Sequence, residues 1–160
     1  MPAPRHLDAI HRFLATKRLA MVGLSRDPKH FSTMLFKELL RRGYDVIPVN
    51  PRADEIDGHR AFARVQDIQP PVEAALLMTP SSATDVAVAD CARAGVRRIW
   101  MYSAGSGGAV TDSAVSLCNG RGIEVIPGEC PYMFLPNNGL HAIHGFINKI
   151  IGRYPKPEAA

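Results

Sequence analysis

The chain has 160 residues, of which 46% are hydrophobic and 21% charged, and 19 basic against 15 acidic side chains leave a net charge of +4. That composition fits one globular domain with a full core. It excludes a membrane span, since no apolar run approaches the roughly 20 residues required, and it offers no Lys/Arg run or basic–aromatic interleaving for nucleic acid.

In chain order, residues 5–15 put Leu7, Ile10, Phe13 and Leu14 on one helical face, a short leading helix. The segment up to Lys17 lacks a secretory apolar region, so a cytoplasmic location is expected. Strand 1 is predicted at 19–23, "LAMVG". A helix then starts near Ser32, a good N-cap. It carries Leu35, Phe36, Leu39 and Leu40 on its buried stripe and stops near Arg42 and Gly43. "YDVIPVN" gives strand 2. Residues 53–72 are irregular, with room for one small strand. "VEAALLMT" is strand 3, apolar nearly throughout, as a strand buried on both faces should be. "PSSATDVAVADCARAG" is a helix ending at Gly95, with Ser82 and Asp85 at capping-box spacing. "VRRIWMYSAG" is strand 4, with Trp100 and Met101 expected in the core. "TDSAVSLCNGRG" is a helix capped by Thr111, and "IEVIPG" is strand 5. Residues 139–151 form a last helix, and 152–160 a frayed tail.

Strands alternating with helices over short connections define an α/β fold. The expectation is a Rossmann-like, doubly wound, mostly parallel sheet of five or six strands with helices on both faces. Residues 1–160 read as one domain with a core of about 8–135.

In such a sheet a ligand sits beyond the carboxyl ends of the strands, where the strand order reverses. Those ends carry Gly23, Leu24, Ser25 and Arg26; Asn50, Pro51 and Arg52; Thr79, Pro80 and Ser81; Ser103, Ala104 and Gly105; and Pro127, Gly128, Glu129 and Cys130. Gly23 allows close backbone approach. The free amides of the following helix favour an anion. Ser25 offers a hydroxyl, and Arg26 and Lys29 add positive charge. The plain alternative for this loop is an ordinary turn with solvated basic side chains. Strand 2 separates candidate ligands. An NAD site commonly ends this strand in an acid, whereas here it ends in Asn50-Pro51-Arg52. An arginine suits a phosphate on a ribose, which both NADP and coenzyme A carry. The loop has one glycine where a dinucleotide fingerprint has three, which counts against NADP.

Three stretches, "VGLSRDPKHFSTMLFKELLRRGYDVIPVNPR", "MTPSSATDVAVADCARAGVRRIWMYSAG" and "GIEVIPGECP", together resemble the small stand-alone CoA-binding proteins. They are also similar to the CoA-binding N-terminal domain of the succinyl-CoA synthetase α subunit. The resemblance spans about residues 8–135. It implies that Gly23, Leu24, Ser25 and Arg26 cradle the CoA phosphates, and that Pro51 and Arg52 contact the nucleotide end. It also implies that Thr79 and Pro80 lie near adenine or pantetheine, with Ser103, Ala104 and Gly105 as the matching small residues after strand 4. Glu129-Cys130-Pro131 stands where the synthetase has Asn-Cys-Pro. The synthetase's phosphorylated histidine lies in a second domain that these 160 residues do not contain, so no ligase step is carried over.

Cys91 and Cys118 fall in apolar helical patterns and are expected to be buried free thiols. Cys130, in a turn facing the cleft, either packs under the ligand or reacts with a thioester. His141 and His144 share a helix face among apolar neighbours, where packing is the expectation over metal binding. His30 and His59 are read as loop residues. "SAGSGGAV" at 103–110 is a flexible phosphate-type loop or a hinge. No Ser-His-Asp order, Walker loop or paired carboxylate stands out. The reading is therefore a protein that holds CoA or an acyl-CoA as a carrier, sensor or regulatory module, with no catalytic or metal residue assigned. An NADP- or thioester-dependent enzyme is one rival. An orphan subunit docking on a CoA ligase or acyltransferase is another, and a homodimer stays open.

Overall fold

The structure is a computed structural model that describes residues 6–104 and 107–136. Gly105, the helix predicted at 139–151 with His141 and His144, and the tail lie outside those residues. In order, the chain forms α1 (His6–Ala15), β1 (Arg18–Val22), α2 (Phe31–Arg41), β2 (Asp45–Val49) and a hairpin of β3 (Glu55–Ile56) and β4 (His59–Arg60). Then come β5 (Ala74–Leu77), α3 (Ser81–Arg93), β6 (Arg98–Met101), a second hairpin of β7 (Ser103–Ala104) and β8 (Gly107–Gly108), α4 (Asp112–Gly120) and β9 (Glu124–Pro127).

Five strands make one parallel sheet in the order β2-β1-β5-β6-β9. The chain winds outward from β1 to β2, then crosses back over β1 to β5. The order therefore reverses between β1 and β5, which is the switch point of a doubly wound sheet. Side chains alternate across a strand, and β1 follows this rule closely. Leu19 and Met21 join α1 and α2 on one face, while Ala20 and Val22 join α3 and α4 on the other. Trp100 anchors the first face. It is fully buried, meets Phe13 edge-on at 5.4 Å, and donates from Nε1 to the Gly128 carbonyl at 2.9 Å. Pro48 sits inside β2, where its missing N–H would break a central ladder. The strand tolerates it because β2 is an edge, and the Pro48 carbonyl accepts from Phe62 N–H at 2.9 Å.

Several local expectations are corrected. The N-cap of α2 is His30, not Ser32: the His30 ring accepts from Ser32 N–H, and Ser32 is buried in the first turn. The capping box at α3 does not form, since Pro80 is the N-cap and no side chain closes it. Asp85 instead accepts from Thr111 and Ser113, joining α3 to the start of α4. Thr111 does cap α4, accepting from Ala114 N–H at 3.0 Å. The irregular stretch 53–72 contains the β3–β4 hairpin and a 3-10 turn at Val65–Asp67. The glycine-rich stretch after β6 folds back on itself, with β7 and β8 pairing antiparallel.

On α2, Glu38 accepts from Arg41 Nη2 and Arg42 Nε, both at 2.6 Å. These bonds hold its carboxyl at about 2, against an ordinary value of 4.5. The folded-state value lies below the unfolded one, so this stabilisation is present at neutral pH and is lost as pH falls through the carboxylate range toward 2. Glu38→Gln should cost about 1 kcal/mol at pH 7, a modest figure because Arg41 is well exposed. Urea unfolding at stepped pH should show that difference closing on acidification.

Candidate functional site

A cavity of about 700 Å³ opens at the carboxyl ends of β1, β2 and β5, over the switch point. Val22 and Gly23 reach it from β1; Val49, Asn50, Pro51 and Arg52 from β2; Thr79 and Pro80 from β5. Six of the residues expected from strand ends are thus brought together in one place.

Gly23 has φ +83° and its N–H donates to the Val49 carbonyl at 3.0 Å. A Cβ built there would lie 3.0 Å from Thr79 N and 3.1 Å from Met78 C. Glycine is therefore required by the packing of this turn against the end of β5, before any ligand is considered. Leu24 buries its side chain in the α1/α2 core, and its carbonyl accepts from Asn50 Nδ2 at 2.9 Å. Asn50 is the pin of the site. Its backbone N–H donates to the Phe62 carbonyl at 2.9 Å, and its Oδ1 accepts from Arg52 N–H at 2.8 Å. One side chain so fixes the first loop against the second.

Ser25 is used internally. Its N–H donates to Ser32 Oγ, and its own Oγ accepts from Asp27 N–H at 3.0 Å. Arg26 and Lys29 are exposed and do not line the cavity. The Ser32, Thr33 and Met34 amides of α2 are taken by His30. At α3, Pro80 caps the helix without a side-chain bond and Ala83 N–H donates to the Pro80 carbonyl at 2.9 Å, which leaves the Ser81 and Ser82 amides open at the end where Ser82 and Ala83 line the wall. Unpaired first-turn amides and the helix dipole favour an anion there.

Sequence reasoning missed the rest of the lining. Arg64 and Val65 come from the 3-10 turn and its leading residue, and Val86, Ala87 and Asp90 from α3. The i, i+4, i+8 spacing of Ser82, Val86 and Asp90 was the available signal, since it places them on one helix face. Arg64 adds a second cation to the cavity lining, held only loosely by Asp67 at 3.9 Å.

Ser103 lies in β7, as does the backbone of Ala104, and Cys130 follows β9; Ser103 and Cys130 do not line the cavity. They sit at the ends of β6 and β9, where Phe31 stacks on Tyr102 at 5.1 Å and Cys130 packs against the α1/α2 core. Burial pushes the Cys130 thiol above its ordinary range, offset in part by the Tyr132 and Met133 N–H groups. Cys91 and Cys118 are buried free thiols; burial drives Cys91 strongly upward and Cys118 to about 11. A thiol needs its thiolate to react. Iodoacetamide at pH 7.5 should therefore label all three slowly, with Cys130 first because it is the only partly exposed one of the three, as read by peptide mass mapping.

No helix among the described residues is long and apolar enough to cross a membrane. The fold and the cavity at its switch point define the class: a doubly wound α/β domain with a cavity at its strand ends. Residues 17–136 match the CoA binding domain family, and the chain belongs to it. It is 31% identical over 96 residues to the α subunit of an ADP-forming acetate–CoA ligase of Pyrococcus furiosus, covering 59% of this chain but 21% of that subunit. An uncharacterized protein of Bacillus subtilis is 41% identical over 58 residues, 36% of this chain and 43% of that protein. Among solved structures, a hypothetical protein of Pyrococcus horikoshii superposes with a TM-score of 0.72 at 25% identity, over 79% of this chain and 86% of that one. An acetyl-coenzyme A synthetase of Candidatus Korarchaeum cryptofilum, solved with phosphate and ADP, gives 0.59 at 27% identity, over 68% of this chain and 25% of that one. The chain thus spans about a fifth to a quarter of these two ligases.

Proposed function

We propose that this chain binds coenzyme A or an acyl-CoA in the cavity at the β1/β5 switch point, as a non-catalytic carrier, sensor or regulatory module. The observation that carries the reading is the convergence of Gly23, Asn50, Pro51, Arg52, Thr79 and Pro80 on one cavity. The open amides of α3 suit the phosphates. Arg52 and Arg64 suit the 3′-phosphate through charge-assisted bonds. Apolar walls of Val65, Val86 and Ala87 suit a flat base. Pantetheine then leads away toward Ser103 and Cys130, with Cys130 as a packing contact. The names of the matched ligases favour CoA over NADP as the phosphate-bearing ligand. A cytoplasmic location goes with this reading, because CoA is an intracellular cofactor.

Calorimetric titration with CoA, acetyl-CoA and NADPH tests it. CoA or acetyl-CoA should bind at least about tenfold more tightly than NADPH, roughly 1.4 kcal/mol. No binding of either at millimolar concentration would sink the proposal. The match to a fifth of a ligase subunit favours a second reading, in which the domain docks on a partner enzyme. Affinity capture that retains a CoA ligase would support it; a monodisperse chain with no such partner would not.

A further inference from the structure

We propose that Asp90 reads the amino group of adenine and makes the cavity select adenine over 6-oxopurines, an inference that rests on the CoA reading above. Ser82, Val86 and Asp90 lie on one face of α3 and all line the cavity. At 1.5 Å per residue, about 12 Å separates the first from the last, the scale of an extended adenosine. The cavity therefore runs along the helix, and its two ends differ chemically. The Ser82 end has open amides and favours phosphate. The middle is apolar. The far end holds a carboxylate, which only accepts hydrogen bonds.

That carboxylate is held in place. Asp90 Oδ1 accepts from Gln66 Nε2 and from Arg93 Nη1, both at 3.1 Å, and the side chain is 15% exposed. No donor among the described residues reaches its Oδ2. Behind it, Gln66 Oε1 is buried with no partner among the described residues. Buried acceptors without a donor are rare and call for a physical reason. Here only Asp90, through Oδ2, leaves acceptor capacity unspent on the lining at the far end of the cavity. A ligand group that donates is favoured there, and one that only accepts is repelled. The N7 edge of the base is placed here: adenine presents N6–H₂ on that edge, whereas hypoxanthine and guanine present only the acceptors O6 and N7. Gln66, sealed from the cavity, orients Asp90 and is a positioning residue.

The test compares CoA with its analogue carrying hypoxanthine in place of adenine, a nearly isosteric change, in the wild type, Asp90→Ala and Asp90→Asn. A hydrogen bond to a charged group supports a preference of about tenfold or more for CoA in the wild type. Asp90→Ala should bring that ratio close to one while keeping the preference for CoA over dephospho-CoA, which damage to the fold would also erode. Asp90→Asn, able to turn a donor toward the carbonyl, should bind the analogue at least as well as CoA. Equal binding of the two ligands by the wild type, or the wild-type ratio surviving in both variants, overturns the assignment and leaves the CoA reading intact. Failure of CoA itself to bind removes both.

Discussion

Gly23→Ala is expected to destabilise the domain by about 2–5 kcal/mol and to abolish binding in the cavity. Two costs add. The left-handed backbone, φ +83°, costs a residue with a Cβ roughly 1–2 kcal/mol. The added methyl would also press on Thr79 N at 3.0 Å and Met78 C at 3.1 Å, backbone atoms that yield only if β1 and β5 part, and overpacking of this kind costs about 1–3 kcal/mol. Gly43 supplies the control. It has φ +85° but nothing within 4 Å of the added carbon, so Gly43→Ala should show only the first cost. Urea unfolding of the two variants separates the contributions. Equal losses would mean that the close approach of the two strand ends matters little.

Arg52→Ala should lower affinity for CoA by about tenfold or more and leave dephospho-CoA binding unchanged. The arginine is exposed, and its side chain takes no part in the core, so the effect on stability should stay within about 0.5 kcal/mol. A charge-assisted bond to phosphate is worth about 1.5–3 kcal/mol, with exposure pulling toward the lower figure. Arg64 shares the cavity, so the double variant should lose more than either single one. If Arg52→Ala weakens both ligands alike, the side chain does not read the 3′-phosphate.

The sheet was legible in the sequence because its signals were physical and redundant. β5 is apolar on both faces as a central parallel strand must be, and the alternation in β1 sends Leu19 and Met21 one way and Ala20 and Val22 the other. The strand-end rule found six cavity residues without reference to any motif. What it missed had a different origin. Arg64 and Val65 come from a 3-10 turn, which has no hydrophobic period to read. Val86 and Asp90 stand on a helix whose other face, Val88 and Cys91, dominates the pattern. The cap of α2 was misassigned because Ser32 is the better cap by type. In the fold its hydroxyl is needed for the Ser25 N–H, and His30 takes over the helix end.

The central claim is that CoA occupies the cavity over the β1/β5 switch point. A crystal structure of the chain grown with CoA tests it most directly. The account predicts the adenosine lying along α3 from Ser82 to Asp90, with the 3′-phosphate beside Arg52 and Arg64 and the pantetheine leaving toward Ser103 and Cys130. CoA bound only elsewhere, with this cavity free of it, would contradict the account.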